Sequence, residues 1–400
     1  MLRKVTNFRL RILSAIFLAS IFVASQKIET VNGGRIVHNA KRGKLGSKLG
    51  VSIQLIRKIG DFDAADENLA FNYPSDIAMD TSGTIYVLDS SNNRVQKIGL
   101  DGKYLATFGR RGQGPGEFFN PDSMDINTNG VFYILDSSQN RIQTMTPEGR
   151  GNQTIRFMDR ALYKLRCLKS GLLAVKSALF YNSFDNKSKL PKLIKLLDQE
   201  GKAQKSFVDG VDFGDGVTSF MGNDFDYAVD KNDNFCVSYS YQNRIEKYLP
   251  DGKLLWKADR PLNYATGVLK RGKIEMNSAG GGTVIQPEMN ACSAGIAIDD
   301  KGRAWVVTLN RQLRKEEKIM TTTSRGGGGG ISTLSLKTKG NVDLRTTDAY
   351  KLEIFDPDGV LLGDILLTQF VNSIRIIGDS LFLIDRERGV TVYQYRIVEK

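Results

Sequence analysis

Residues 85–98 read IYVLDSSNNRVQKI, and residues 132–145 read FYILDSSQNRIQTM. The second phrase begins 47 positions after the first and matches it without a gap. Each phrase opens on a short apolar run, crosses a polar cluster, and returns through Arg to a second run. Runs of this length, rich in Val, Ile, Tyr and Phe, are strand signals, and the Asp, Ser and Asn between them are turn signals. A hairpin that recurs at a fixed interval points to a repeat architecture rather than to two or three separate domains.

The match extends outward. Pro74, Gly83, Asp89 and Arg94 correspond to Pro121, Gly130, Asp136 and Arg141. The first unit holds four strand-like runs, DIAMD, TIYVLD, RVQKIGL and YLATFG. Four strands in a period of roughly 40–50 residues mark a propeller blade. More worn units follow, among them YKLRCL, GLLAVKS, KLIKLLD and KAQKSFV, then DFDYAVD, NFCVSYS, RIEKYLP and KLLWKAD. A fifth is AGIAIDD, RAWVVTL, YKLEIFD and VLLGDIL. The sixth, NSIRII, SLFLID and VTVYQYRI, ends one strand short. The run VSIQLIRKIG at 51–60 has no partners of its own. Pairing it with the sixth unit removes two open sheet edges. The expectation is an all-β, six-bladed β-propeller of four-stranded blades over 51–400, its ring closed by strand 51–60.

The stretch YPSDIAMDTSGTIYVLDSSNNRVQKIGLDGKYLATFG, followed by GQGPGEFFNP, resembles the NHL-repeat family. The likeness returns in SYQNRIEKYLPDGKLL at 240–255 and KLEIFDPDGVLL at 351–362. It implies a six-bladed propeller and no single activity, because this fold carries binding modules and several enzymes.

The N-terminus has a different character. Arg3, Lys4, Arg9 and Arg11 precede an apolar stretch, Ile12–Ala24, and the small residues Val23-Ala24-Ser25. A basic segment, a short apolar core and a small-residue site predict a secretory signal peptide over 1–25 and a secreted or periplasmic protein. An uncleaved segment would instead anchor a sensor domain to a membrane. Of the net charge of +12, residues 1–25 carry +4 and residues 26–50 carry six Lys or Arg against one Glu, or +5. The body is left near +3, and 26–50 reads as a basic linker. Export argues against nucleic acid as a partner, and no membrane partner is expected unless the signal is retained. The three cysteines do not make a disulfide framework.

Candidate site residues fall into three groups. Arg94, Arg141 and Arg244 recur at one repeat position, with Arg388 close to it in the sixth unit; they could tie neighbouring blades through ion pairs or hydrogen bonds, or form a basic rim that binds an anion, since an Arg fork suits carboxylate or phosphate either way. Arg110 and Arg111 lie in GRRGQGPGEF. This glycine-rich stretch lacks the helix and Lys-Ser/Thr step of a phosphate loop and reads as a blade-to-blade connector. The third group comes from alternation along the innermost strands. One parity is apolar, as in Ile77, Met124, Leu165, Tyr227, Ile296 and Ile374. The other sends Asp76, Asp125, Lys164, Arg166, Asp226 and Arg375 toward the central channel. Three charges of each sign can form a structural network or a polar ligand site. The single histidine, His38, precedes the ring, so a His-based triad or His-rich zinc site within it is excluded. No cofactor is expected; calcium is the metal that carboxylates alone would suit.

Every long connection exits on one face: 61–74, 109–121, 177–191, 209–220, 261–290 and the low-complexity 310–347, which reads as a mobile flap. Long loops on a rigid scaffold are where binding resides. The expected function is a non-catalytic binding module holding a protein, peptide or polar small molecule on that face. The alternative is a histidine-free, metal-dependent propeller enzyme such as a lactonase.

Overall fold

The computed structural model describes residues 26–31, 34–61, 64–159, 162–179, 190–276, 282–318, 320–325, 331–337 and 345–400. The expected signal peptide, the middle of the 177–191 loop and parts of the 310–347 insertion lie outside the described residues. Blade one comprises Pro74–Met79, Ile85–Asp89, Arg94–Ile98 and Tyr104–Phe108. Blade two comprises Ser123–Ile126, Phe132–Asp136, Arg141–Met145 and Gly151–Arg156. Blade three is Leu162–Cys167, Leu173–Ser177, Lys192–Leu197 and Ala203–Asp209. Blade four is Phe225–Val229, Phe235–Tyr239, Ile245–Tyr248 and Leu254–Asp259. Blade five is Ser293–Ile298, Ala304–Leu309, Tyr350–Phe355 and Leu361–Leu366. In blade six, Ser373–Ile377, Ser380–Asp385 and Thr391–Glu399 are completed by Val51–Ile59, which pairs antiparallel with the last strand.

The protein is a six-bladed β-propeller. Its apolar interior is divided into six clusters, one between each pair of adjacent blades. Between blades one and two, Tyr86 and Leu88 meet Met124, Phe132 and Ile134. The cluster that closes the ring joins Ile59, Phe382, Ile384 and Val392 of blade six to Ile77, Ile85, Val87 and Ile98 of blade one. Burying each such side chain contributes about 2 kcal/mol, so the ring holds because every blade has two apolar faces and two neighbours.

The repeated phrase is a clamp. After Asp89 the chain makes one 3-10 turn, Ser90–Asn92, and leaves it through Asn93 in the left-handed region; Asn140 does the same after Ser137–Gln139. Asn tolerates that conformation better than most residues. The turn sets Asp89 opposite Arg94 across the strand pair, and Asp136 opposite Arg141. Asp89 Oδ1 accepts the amides of Asn72 and Tyr73, while Arg94 donates to Asp89 Oδ2 (3.0 Å) and to the Ala70 carbonyl (2.9 Å). The pair therefore ties the incoming connector to the blade.

The short turns on the other face have their own device. Asp80 Oδ1 accepts the amides of Ser82 and Thr84, and Asp230, Asp299 and Asn127 repeat the pattern in their hairpins.

The basic linker expected over 26–50 is instead paired structure. Lys27–Val31 and Gly34–His38 form a hairpin whose second strand adds in parallel to the outer strand of blade four. Farther on, the amides of Lys44 and Leu45 donate to the carbonyls of Leu361 and Leu362 at the edge of blade five. The segment thus straps two blades before entering the third as strand Val51–Ile59. Lys27 and Arg35 lie on this sheet edge and the other basic residues in the turns that follow, an arrangement composition alone does not distinguish from a solvated tail.

The flap expected over 310–347 also differs at its ends. Arg311 makes two 2.7 Å bonds to Glu317, whose carboxylate also accepts the Arg314 amide and the Thr347 hydroxyl. These contacts hold Glu317 down at a pKa of about 2, with the Arg311 hydrogen bonds the largest cause. Within the insertion, Met320–Arg325 pairs with Ile331–Lys337.

Candidate functional site at the channel mouth

A cavity of about 1450 Å³ opens on the face of the long connections. Its walls come from the starts of innermost strands, from second-to-third-strand turns and from blade-to-blade connectors, with all six blades contributing. Asp76, Lys164, Arg166 and Asp226 line it.

The polar parity of the innermost strands converges as a set of ion pairs. Arg166 Nη1 lies 2.8 Å from Asp76 Oδ2, linking blades three and one. Arg375 of blade six bonds Asp125 Oδ1 at 2.5 Å and approaches Asp76 Oδ1 at 3.6 Å. Lys164 Nζ bonds Asp226 Oδ1 between blades three and four. The carboxylates also hold backbone of the next blade. Asp76 accepts the Met124 amide, Asp125 the Cys167 amide and Asp226 the Ile296 amide. Burial alone would raise the Asp76 pKa, but Arg166 and Arg375 outweigh it and keep this carboxyl well below the usual range. Removing one member of a pair would leave its partner buried and uncompensated.

Lys164 is the irregular member. It has φ +41° and sits where the register of blade three's first two strands shifts between Tyr163 and Leu165. A bulge re-aims a side chain, and here it turns Lys164 into the cavity. The Tyr227 hydroxyl fixes the distorted backbone, its single proton within reach of the Lys164 carbonyl (3.0 Å) and the Ala174 carbonyl (2.8 Å). Burial pushes the Lys164 ammonium down to a pKa of about 8, against the pull of Asp226.

The other candidates lie elsewhere. Arg94 and Arg141 are the clamps described above, with Arg141 also reaching the carbonyls of Gln113 and Glu117. Arg244 stacks on Tyr239 at 3.8 Å and faces Glu246 at 3.5 Å. None of the three lines the cavity, so of the two readings the basic rim is not assembled there. Its guanidinium groups go to connector carbonyls, neighbouring rings and strand-end carboxylates. Arg110 and Arg111 are also outside the cavity: Arg110 bonds Glu117 at 2.8 Å, and Arg111 lies over Phe119. The glycine-rich stretch folds on itself, with the Phe118 ring standing where a Cβ on Gly109 (φ +81°) would be.

Reasoning from sequence missed several lining residues. Lys176 bonds Asp224 at 2.6 Å across blades three and four, and Asp122, Tyr163, Lys318 and Arg386 complete the charged and aromatic wall beside Arg388, which its repeat position marks. All lie at strand ends or in connectors, where period-two alternation gives no direction. Asp122 is held up at about pKa 6, chiefly by burial, with Asp136 nearby adding to the effect. Among the described residues, no three His, Cys, Asp or Glu side chains are grouped to hold a metal. His38 pairs with Asp259 at the outer edge of blade four.

These features define a closed propeller with a charged mouth. A family model described as "6-bladed beta-propeller", DUF5128, matches residues 64–254, which span blades one to three and most of blade four. No curated protein matches the chain. Two solved structures share the fold. A member of the duf4221 family from Bacteroides vulgatus aligns with TM-score 0.53 and 6% identity over 88% of this chain and 99% of that one. A protein described as exported, from Bacteroides fragilis, aligns with TM-score 0.51 and 10% identity over 91% and 99%. At these identities the likeness shows the fold alone. No helix among the described residues is long and apolar enough to cross a membrane.

Proposed function

We propose that this chain is an exported propeller of the NHL type that binds a polar ligand, a small molecule or the side chains of a peptide or protein, at the channel mouth. The observation that carries this reading is the large cavity lined by charged groups from all six blades, with one wall re-aimed by a strained lysine. Pockets of this kind, with a few convergent polar groups and shifted pKa values, are the usual place for a ligand. Export rests on the basic and apolar N-terminal sequence.

The lactonase-like reading asks carboxylates to converge on a metal such as calcium. Asp76, Asp125 and Asp226 are instead each engaged by a cation and by a backbone amide. That favours binding without catalysis.

A thermal-shift screen of polar small molecules tests the proposal. At least one compound should raise the melting temperature by several degrees, as a ligand well above its Kd stabilises by about 3 kcal/mol. Tyr163→Ala, an exposed wall residue, should abolish that shift, and calcium alone should give none. Shifts that survive Tyr163→Ala and Lys176→Met would place the binding elsewhere. A calcium shift lost in Asp125→Asn would favour the metal enzyme.

A further inference from the structure

The charges around the mouth are not evenly distributed. On the side of blades one, three and four, Lys164, Arg166 and Lys176 are matched one to one by Asp226, Asp76 and Asp224. On the side of blades five and six the balance fails. Neither Lys318 nor Arg386 has a carboxylate partner among the described residues. Arg388 has only Glu387, at 3.7 Å. Asp385 is near but buried, and its oxygens are taken by the amides of Glu387, Arg388 and Gly389.

Arg386 is held by groups that do not neutralise it, and Arg388 has only the long contact to Glu387 and the field of the buried Asp385. Arg386 donates to the Ser75 carbonyl (2.7 Å) and lies over the Tyr73 ring. Arg388 donates to the Glu317 carbonyl (3.0 Å) and stacks on Phe370 at 4.1 Å. Each leaves its Nε–H without an acceptor. The Glu317 carbonyl that Arg388 grips precedes Lys318, which brings that exposed ammonium to the same wall. Leu313, Tyr350, Val371 and Val390 form the apolar surface of the cavity on this side.

Resting on the binding role proposed above, we infer that this wall is an anion shelf. Lys318, Arg386 and Arg388 take the carboxylate or phosphate of an organic anion whose apolar part lies on Leu313, Tyr350 and Val371. Positioned guanidinium groups bind such oxyanions well because their donors are fixed by the protein before the ligand arrives. A cationic ligand would meet repulsion here, and a neutral one would leave the surplus charge unanswered.

Calorimetric titration of the purified protein with octanoate, octyl phosphate, octylammonium and octyl glucoside, at equal chain length, tests the shelf. Octanoate and octyl phosphate should bind at least tenfold more tightly than the other two, and their order tells carboxylate from phosphate. Lys318→Gln with Arg386→Gln should weaken both anions tenfold or more, while Lys103→Gln, in a turn on the opposite face, changes nothing. Should loss of the Ser75 contact unfold the double variant, Lys318→Glu alone carries the test, since the Lys318 ammonium has no hydrogen bond or ion pair among the described residues. Equal binding of all four probes, preference for octylammonium, absence of anion binding, or an unaltered Lys318→Glu would overturn the shelf. A neutral or cationic compound that binds the mouth and is lost in Tyr163→Ala would leave the broader proposal standing and remove only this one.

Discussion

Asp122 shows how one side chain reports on the mouth. Its carboxylate accepts the amide and hydroxyl of Ser137 at the cavity wall, yet burial holds its pKa near 6. A carboxyl whose folded pKa lies above its unfolded value of 3.8 adds stability in its protonated form. That contribution is complete below about pH 3.8 and is lost as the pH rises through about 6. Asp122→Asn cannot ionise, so its melting temperature minus that of wild type should rise between pH 4 and pH 7.5, reflecting on the order of 2 kcal/mol. Parallel melting curves across this range would show that Asp122 is not held protonated. At this scale the sequence was partly legible. Alternation pointed Asp76, Asp125, Lys164, Arg166, Asp226 and Arg375 into one channel, and ion pairs join Asp76, Arg166, Arg375 and Asp125 in one network and Lys164 with Asp226 in another. The recurring Arg94 and Arg141 were visible, but their partners Asp89 and Asp136 belong to the same phrase, five residues earlier. Register across a hairpin, rather than recurrence, decides where those guanidinium groups go.

Among the elements, the N-terminal strap was the least legible. Six basic residues in 26–50 suggested a tail, although Asn32-Gly33 between KIETV and GRIVH is a hairpin signal in its own right. Strand addition to blade four depends on an edge more than two hundred residues away, which local pattern cannot supply. The strap and the closing strand should differ in cost. Removing 26–42 uncovers the outer edge of blade four and strips Val37 from the cluster that holds Trp256 and Ala258. A moderate loss of a few kcal/mol is expected, with cooperative unfolding retained. Deleting 51–59 as well strips Ile59 from the cluster shared with blade one and opens blade six, and the ring should no longer melt in a single transition. Equal melting of the two deletions would refute the distinction between strap and closure.

For the whole molecule, the fold could be read from one repeated hairpin because every blade repeats the same two constraints: an apolar face for each neighbour and short turns on one side. The cavity could not be read that way. Its charge balance depends on which strand ends and connectors from six blades meet, and Lys318, Arg386 and Arg388 come from the insertion in blade five and a turn of blade six. The central claim is that a ligand occupies the mouth on the long-loop face. Hydrogen–deuterium exchange with and without a compound that raises the melting temperature tests it directly. Protection should appear in peptides covering 72–76, 120–123, 221–226, 289–294 and 386–390, and the turns at 80–83, 127–130 and 299–302 should be unchanged. Protection of those turns, or of the outer strands alone, would contradict the account.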